Sequence, residues 1–280
     1  MSSIRFSILL PTYKRTFLSQ CIESVLAQTY THWELLIVND ASPEDIEEVV
    51  SHYSDSRIRY YQNATNFGAK RLVEQWNYCL SLASGDYVIC MGDDDLLLPN
   101  CLSTYAELIE RHPNIPLLHG LTQIIDENGE VVRILDKRPE QESAMSLLYQ
   151  RHFAYRPQYI GDFCFSREAL IAQGGFYNLP YAWSSDDISA LTAAQKQGLI
   201  NTQEVVFAYR DNTHSITRQT HVCGKLKAIW LAGLWEWRFL RQPTNNAQDE
   251  MYRKQLKRRW LYHTLRKAYY TIRNAYFPTK

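Results

Sequence analysis

Apolar runs and helically spaced apolar residues alternate through the first hundred residues. Four runs indicate buried strands, because strands covered on both faces are apolar almost throughout. Three intervening segments place apolar residues three and four positions apart, as amphipathic helices do. The predicted strands are Phe6–Leu10, Trp33–Val38, Ile58–Tyr61 and Tyr87–Met91, and the predicted helices are Phe17–Gln28, Pro43–Ser51 and Lys70–Leu82. Repeated strand–helix–strand units of this kind predict a parallel sheet covered by helices.

The pattern loosens after residue 100. A hairpin is predicted where Leu117–Asp126 and Glu130–Leu135 flank Asn128-Gly129, a strong two-residue hairpin signal. Residues 136–160 are polar and aromatic and predict loops with a short helix. The remaining predicted elements are a strand at Gly161–Phe165, a turn at Gly174-Gly175, a helix at Ser184–Gln197, a strand at Glu204–Arg210 and continuous helix from Gly224 to near Tyr276.

Three consecutive carboxylates follow the predicted strand Tyr87–Met91. Asp93, Asp94 and Asp95 would repel one another strongly unless a cation neutralised them. Oxygen ligands of this kind suit Mg²⁺ or Mn²⁺, which commonly hold substrate phosphates as well. The alternative is a solvated acidic turn that caps a helix starting near Pro99, since acids are common at helix starts.

The turns after the predicted strands lack glycine-rich phosphate cradles. The first turn has no GxGxxG, which argues against NAD or FAD, and no GxxxxGK[ST] occurs in the chain, which argues against a P-loop NTPase. In open parallel sheets the ligand lies beyond the carboxyl ends of the strands, and here those ends carry amide and carboxylate side chains. We therefore expect phosphate to be held through a metal ion.

The net charge of zero hides an uneven distribution. Nine of the 30 basic residues and none of the 30 acidic residues lie in 251–280, so this tail carries +9 and residues 1–250 carry −9. Such a tail suggests an anionic surface as partner. The six cysteines show no metal-binding or CxxC spacing, no apolar stretch reaches membrane-spanning length, and no signal peptide is evident, so we expect a cytoplasmic protein.

An ordered set of motifs over about residues 4–218 resembles the family 2 glycosyltransferases. The matching segments are SILLPTYKR at 7–15, QTY at 28–30, WELLIVNDAS at 33–42, NFG at 66–68, Asn77, ASGDY at 83–87, GDDD at 92–95 with Pro99, GGF at 174–176, SDD at 185–187, YR at 209–210 and HSI at 214–216. The resemblance implies an α/β protein of the GT-A type, with a Rossmann-like, mixed but mostly parallel sheet flanked by helices. We expect a glycosyltransferase domain at 1–220, its nucleotide-sugar half at about 1–100 and its acceptor half at about 101–220, and then a basic, aromatic helical extension at 221–280.

The resemblance also implies roles for individual residues. Asp94, Asp95 and His214 are implied to hold Mn²⁺ or Mg²⁺ at the diphosphate. Asp187, beside Asp186, is implied to be the base that deprotonates the acceptor hydroxyl, and neighbouring carboxylates raise one another's pKa, which favours a base near neutral pH. The implied nucleotide-sugar contacts are Pro11, Thr12, Tyr13, Arg15, Asp40, Asn66, Lys70, Arg71, Asn77 and Asp93. A single base opposite the leaving group implies inversion at the anomeric carbon.

The chain departs from the family pattern at several positions. Asn39 replaces the first acid of the usual Asp-Asp-Gly-Ser, and Gly92 stands where many members have the first DxD acid. Trp76 occupies a position where Arg is common. The cation that contacts phosphate is therefore left open, with Lys70 and Arg71 as candidates.

The leading hypothesis is an inverting, metal-dependent glycosyltransferase of surface polysaccharide synthesis. It would move a sugar from a nucleotide-diphosphate sugar, expected to be a UDP-sugar, to a hydroxyl of a glycan or lipid-linked acceptor. One alternative is a catalytically inactive relative that serves as a scaffold. Another is a phosphohydrolase that uses Asp93 and Asp95, which is disfavoured because such pairs normally follow an early strand, whereas this one follows three strand–helix units.

The C-terminal extension carries an apolar stripe as well as its basic charge. Leu261, Leu265, Tyr269, Ile272 and Tyr276 recur at helical spacing among basic residues. We expect 251–280 to dock on an anionic membrane, which would place the enzyme peripherally on the inner face, because each basic side chain near such a leaflet contributes about 1 kcal/mol. The alternative is that the stripe packs on the catalytic domain. A nucleic-acid partner is not expected, because the acidic body would be repelled.

Overall fold

Ten strands form one mixed sheet in the part of the chain that the structure, a computed structural model, describes: residues 4–212, 222–244 and 246–276. The strands are β1 (Phe6–Thr12), β2 (Trp33–Asn39), β3 (Ile58–Gln62), β4 (Tyr87–Cys90), β5 (Leu96–Leu97), β6 (Leu117–Ile125), β7 (Val131–Ile134), β8 (Gln141–Glu142), β9 (Phe163–Ser166) and β10 (Leu199–Arg210). Their order is β3-β2-β1-β4-β9-β6-β10-β5, with β7 beside β6 and β8 beside β10. β9 lies antiparallel between β4 and β6, whereas β1 to β4, β6 and β10 run parallel. This confirms the predicted mixed, mostly parallel sheet.

Helices cover both faces of the sheet. They are α1 (Leu18–Leu26), α2 (Ile46–Ser51), α3 (Leu72–Leu82), α4 (Cys101–Arg111), α5 (Ala144–Phe153), α6 (Arg167–Ala172), α7 (Ser185–Ala194), α8 (Val222–Phe239) and α9 (Ala247–Tyr276), with 3₁₀ turns at Ala69–Arg71, Ile160–Asp162 and Pro180–Ala182. Neighbouring residues of β1 belong to different cores. Ile8 lies in the cluster that contains Leu18 and Ile22 of α1, whereas Leu9 lies in the cluster that contains Val73 of α3. The apolar strands are thus buried on both faces.

The second helix begins later than predicted. α2 starts at Ile46 because the Asp45 side chain caps it, accepting a hydrogen bond from the Glu48 N–H (2.9 Å). The predicted start at Pro43 was wrong. Ser42 uses its hydroxyl within the preceding turn, where it accepts from the backbone of Glu44 instead of capping a helix. The predicted helix at 70–82 likewise has its first turn as 3₁₀, and α3 proper begins at Leu72.

The predicted continuous C-terminal helix is divided into α8 and α9. Pro243 lies in the break, and proline lacks the N–H that a helix interior needs. α9 folds back along the domain: the rings of Tyr149 and Tyr252 stack at 4.1 Å, and Trp260 Nε1 donates to the Gly233 carbonyl at 2.7 Å. Within the described residues, no helix combines the length and the apolar character needed to cross a membrane.

Candidate functional site

The carboxyl ends of β1 and β4 meet at Asp93. Its Oδ2 accepts hydrogen bonds from the backbone N–H groups of Tyr13 (2.8 Å) and Lys14 (2.9 Å), which follow β1. β1 and β4 are neighbouring parallel strands, so the turns after them lie at the same edge of the sheet. The first motif and the acid cluster are thereby joined, although Tyr13 and Asp93 are 80 residues apart in the chain.

We call Asp93, Asp94 and Asp95 the strand-end cluster. Residues at the carboxyl end of β10 donate hydrogen bonds to two of its members. Asn212 Nδ2 donates to Asp94 Oδ2 (2.5 Å), and the Arg210 N–H donates to Asp95 Oδ1 (3.0 Å). The fully buried Arg210 side chain also donates from Nε to the Asp94 carbonyl (2.8 Å). Arg210 thus ties the end of β10 to the turn after β4.

Burial and mutual repulsion raise the pKa values of the strand-end cluster. Burial, followed by the charge of Asp94, raises the pKa of Asp93 to about 6 despite its two backbone donors. Burial also raises the pKa of Asp94, against the hydrogen bond from Asn212. The pKa of Asp95 is raised well above its ordinary value by burial and by the Asp94 charge. A divalent cation would relieve this repulsion and favour the ionised carboxylates.

The cluster fits a metal ion that is shared with a diphosphate. A Cβ at Gly92 would lie 2.6 Å from Asp94 Oδ1 and 3.2 Å from Asp95 Oδ2, so oxygens of both carboxylates converge on the space that glycine leaves open. In the described ranges no three His, Cys, Asp or Glu side chains enclose a metal, and His214 lies outside those ranges. Mg²⁺-type ions use one or two carboxylates together with substrate phosphates, so a two-carboxylate site is sufficient.

Asp40, implied to contact the nucleotide base, shapes the loop of the NFG motif. Its Oδ1 accepts from Asn63 Nδ2 and from the Phe67 N–H (both 2.8 Å), and its Oδ2 accepts from the Gly68 N–H (3.1 Å). Gly68 has φ +67°, which suits glycine. Asp40 Oδ2 keeps a lone pair for a ring N–H, so the implied contact and this loop-holding role are compatible.

The other residues of the first turn differ in exposure. Thr12 is buried and Tyr13 is 40% exposed, while Pro11 is half-buried. Arg15 pairs with Glu48 at 2.6 Å on the surface. Tyr13 therefore presents an exposed ring at the edge of the sheet where the parallel strands end. A phosphate that bound Arg15 would have to displace Glu48.

The polar side chains of residues 66–77 are partly engaged in contacts within the protein. Asn77 donates to the Phe176 carbonyl (3.0 Å) and accepts from the Phe176 N–H (2.8 Å), so it fixes the GGF turn. Arg71 pairs with Glu74 at 2.5 Å. Asn66 and Lys70 are exposed on the same loop. Of the two candidate phosphate-contacting cations, Lys70 is thus the one for which the structure shows no carboxylate partner among the described residues.

Asp186 and Asp187, which we call the helix-start pair, stand in the first turn of α7. Asp187 is 6% exposed, and its Oδ1 accepts from Arg151 Nε (3.1 Å) and Gln158 Nε2 (2.6 Å). Burial, followed by the charge of Asp187, raises the pKa of Asp186 to about 7, against the lowering effect of Arg151. One carboxylate of the pair is held in an ion pair, and the other titrates near neutrality.

Tyr159 connects the helix-start pair to the strand-end cluster through chain neighbours. It follows Gln158, which donates to Asp187, and it contacts Tyr209, which precedes Arg210, the backbone donor to Asp95. Its ring stacks on Tyr209 of β10 at 3.6 Å. Burial raises the pKa of Tyr159 to about 12, and the charges of both Arg151 and Asp95 act on it. One aromatic stack therefore joins the segments that hold the two acid groups.

Sequence reasoning missed Arg151 and Gln158. Arg151 lies 36 residues before Asp187, and Gln158 lies 29 residues before it, in a segment predicted only as loops with a short helix. No local pattern marks either residue, because their partner belongs to a different helix. The position of Arg151 follows from the packing of α5 against α7, and Gln158 lies in the segment after α5.

Comparison with known sequences identifies a family. The model for glycosyl transferase family 2 matches residues 7–172. EpsE of Bacillus subtilis (strain 168), named as a glycosyltransferase, is 37% identical over 146 residues, which cover 50% of this chain and 51% of EpsE. WfgD of Escherichia coli, named as a UDP-Glc:α-D-GlcNAc-diphosphoundecaprenol β-1,3-glucosyltransferase, is 34% identical over 132 residues, 47% of this chain and 51% of WfgD. The chain thus spans about half the length of these relatives.

Solved structures share the fold. The crystal structure of S. aureus TarS 1–349 in complex with UDP-GlcNAc superposes with a TM-score of 0.68 at 15% identity, covering 92% of this chain and 73% of that one. The mannosyltransferase PcManGT from Pyrobaculum calidifontis, in complex with GDP-Man and Mn²⁺, gives a TM-score of 0.61 at 16% identity, covering 99% and 76%. These likenesses confirm the expected GT-A type of fold.

Proposed function

Because the chain belongs to glycosyl transferase family 2, we propose that it moves a sugar from a UDP-sugar to a hydroxyl of a glycan or lipid-linked acceptor in surface polysaccharide synthesis. The observation that carries the proposal is that two acid groups are connected through one aromatic stack. Tyr159 follows Gln158, which donates to Asp187, and it stacks on Tyr209, which precedes Arg210, whose N–H donates to Asp95. The name of WfgD gives a UDP-sugar donor and a lipid-linked diphosphate acceptor for that relative, and TarS was crystallised with UDP-GlcNAc.

The donor would bind at the strand-end cluster. Asp94 and Asp95 would hold Mn²⁺ or Mg²⁺, which when bound supplies Lewis-acid stabilisation of the departing diphosphate. Asp93 holds the backbone of Tyr13 and Lys14 in place, so that the first turn can contact the nucleotide. Asp40 holds the NFG loop on the far side of β1.

The acceptor hydroxyl would be deprotonated at the helix-start pair. Asp187 is the proposed base, and the neighbouring carboxylate of Asp186 is kept partly protonated near neutral pH. A base that acts from the side opposite the leaving diphosphate gives in-line displacement and inversion. NMR of the product should therefore show the anomeric configuration opposite to that of the donor, and retention would overturn the displacement mechanism.

The test of the function measures UDP release by the full chain. UDP-glucose and UDP-N-acetylglucosamine are supplied with Mn²⁺, with EDTA as the matched control, and calorimetry measures UDP binding in both conditions. Turnover that EDTA abolishes supports the transferase. UDP binding without turnover of any donor favours the inactive scaffold, and phosphate release from p-nitrophenyl phosphate without UDP binding favours the phosphohydrolase.

The proposal includes docking of α9 on an anionic membrane. Its apolar stripe faces outward: Leu261 is 52% exposed, Leu265 56%, Tyr269 60% and Ile272 42%. The side chain of Tyr276 lies outside the described residues. The alternative expectation, that the stripe packs on the catalytic domain, is therefore wrong for these four residues.

The rest of α9 fixes this orientation. Leu256, His263 and Thr264 are buried against the domain, and Lys267 pairs with Glu236 of α8 at 3.2 Å. The stripe is thus held on the opposite side, and residues 251–276 contain no acidic residue. An anionic leaflet complements this charge, and each basic side chain near it contributes about 1 kcal/mol.

Point substitutions test docking better than truncation, because removing α9 would also uncover the surface of the domain against which Leu256 and Thr264 are buried. The test variant carries serine at the four stripe positions, Leu261, Leu265, Tyr269 and Ile272. The matched control carries Val132→Ser and Ile134→Ser on β7, where both side chains are similarly exposed. Wild type and control should co-sediment with phosphatidylglycerol-containing vesicles, and the stripe variant should not. Equal pelleting of all three, or none at low salt, would show that α9 is not an anchor.

A further inference from the structure

Asp187 is held through only one of its two carboxylate oxygens. Arg151 and Gln158 both donate to Oδ1, and no residue within the described ranges donates to Oδ2. We infer that Arg151 and Gln158 are positioning residues, which fix the carboxylate so that Oδ2 meets the acceptor hydroxyl. This inference rests on the proposed function, because that proposal makes Asp187 the base.

The side of Asp187 that faces the two donors is closed to substrate. The cavity between Arg151, Gln158, Asp187 and Glu236 has a volume of only ≈ 10 Å³, about the space of one water molecule. A sugar ring cannot enter there. An acceptor must therefore approach Asp187 from another side. This agrees with the inference that Oδ1 is held by its two donors and that Oδ2 reacts with the acceptor.

The Arg151 guanidinium is itself fixed. Its Nη1 donates to the Arg156 carbonyl at 2.7 Å. Burial acts to lower the pKa of Arg151, but the charges of Asp187 and Asp186 raise it above its ordinary value. The side chain therefore stays charged and cannot turn away without losing two acceptors, Asp187 Oδ1 and the Arg156 carbonyl.

Helix α5 is also held from its other side. His152, the residue after Arg151, has its Nε2 3.0 Å from Glu236 Oε2 of α8, and Lys267 of α9 reaches the other oxygen of Glu236 at 3.2 Å. A rotation of α5 that withdrew Arg151 from Asp187 would break this buried contact as well. The C-terminal helices thus support the position of the base.

Arg151 also lowers the pKa of Asp186, which burial and the charge of Asp187 raise. Among the described residues, the charged groups near the pair include Arg151 on α5, Asp162 in the turn before β9 and Glu236 on α8, which is itself in contact with His152 and Lys267. Arg151 is the positive group that contacts the pair directly. Removing its charge leaves Asp186 beside the negative charges of Asp187 and Asp162, so the pKa of Asp186 should rise.

The test compares Arg151→Gln and Arg151→Lys by hydrolysis of UDP-glucose with Mn²⁺ over a range of pH. Arg151→Gln should lower kcat at pH 7 by about 10-fold or more, within the usual contribution of a general base, and should move the acidic limb of the profile upward by about one pH unit. Arg151→Lys keeps the positive charge. Its acidic limb should therefore lie at a pH closer to that of wild type, while kcat stays reduced. The Kd for UDP should change less than about 2-fold, because uniform binding is not affected.

Two further variants keep the inference open to refutation if Arg151→Gln fails to fold. Gln158→Leu removes one donor without a change of charge, and should lower kcat with little movement of the limb. The matched control is Arg156→Gln, whose side chain pairs with Glu142 at 3.0 Å and should leave the pH profile in place.

Wild-type kcat and pH profile in both Arg151→Gln and Gln158→Leu would overturn the inference. Loss of UDP binding as large as the loss of turnover would also overturn it, by assigning both residues to the donor site. Failure of the proposed function has a different signature, since wild type itself would then hydrolyse no UDP-sugar.

Discussion

The strand-end cluster and the helix-start pair differ in the source of their counter-charge. Around Asp93, Asp94 and Asp95 the direct donors are backbone N–H groups and the Asn212 amide, and the pKa of every member stays raised. At the helix-start pair, Arg151 supplies a full positive charge at 3.1 Å from Asp187. The two acid groups look alike in the sequence, but within the described residues only the helix-start pair has a carboxylate in a direct ion pair with an arginine side chain.

Because of this difference, we expect the two acid groups to respond to different solution conditions, one to divalent metal and the other to pH. Under the proposed function the strand-end cluster takes a cation from solution, because the nearby charges of Lys14 and Arg210 leave its pKa values raised, so its function should depend on divalent metal. The helix-start pair carries its cation within the chain, so its function should depend on protonation and much less on metal.

The largest expected effect follows from removing Asp94, a proposed metal ligand of the strand-end cluster. Asp94→Asn keeps the side-chain size and the hydrogen bonding near Asn212, but it weakens the hold on the cation. We expect turnover of the UDP-sugar to fall by about 10³-fold or more, since transition-state stabilisation of the leaving group is lost. EDTA should have a comparable effect on wild type. Full activity in EDTA, or in Asp94→Asn, would show that the strand-end cluster does not depend on a divalent metal.

A smaller loss is expected at the proposed base. Asp187→Asn should lower kcat by about 10²–10⁴-fold, because a base acts only in the transition state, and should change UDP affinity little. Steady-state kinetics and calorimetry with UDP and Mn²⁺ measure the two quantities. If UDP affinity collapses while kcat holds, Asp187 belongs to the donor site and the contrast fails.

The smallest effect concerns stability. The folded-state pKa of Asp186 is about 7, whereas an ordinary aspartate has about 3.9, so the folded chain binds more protons than the unfolded one between these values. Asp186 therefore costs stability as pH rises through this window. Asp186→Asn should raise the unfolding temperature at pH 7.5 by about 2–4 °C and leave it unchanged near pH 4. Calorimetric scans at both pH values check this, and a lower unfolding temperature at pH 7.5 would contradict it.

The strand-end cluster is predictable from sequence because its determinants are local. Tyr87–Cys90 is an apolar strand, and Asp93 to Asp95 follow it directly, so strand direction alone places them at the ligand-binding edge. The same holds for Tyr13 after β1. Local pattern also predicts the hairpin at Asn128-Gly129, which joins β6 and β7.

Other features depend on contacts that no local pattern encodes. The four residues of β9 do not reveal that the strand inserts antiparallel between β4 and β6. Arg151 gives no signal of its distant partner Asp187, and the sequence does not show that Asp40 holds a neighbouring loop. These arrangements are set by packing between elements, so they emerge only when the elements are assembled.

The position of β10 determines when the site is complete during synthesis. β10 pairs with β6 on one side and with β5 on the other, inside the sheet, although it is made after both. Until residues 199–212 leave the ribosome, β6 has an unpaired edge, and Asp94 and Asp95 lack Asn212 and the Arg210 N–H. The nascent chain therefore carries the family's recognisable segment, 7–172, before it can carry the assembled cluster. A fragment that ends at 172 would expose this edge and aggregate, so dissection of the enzyme should keep β10 with the strands it joins.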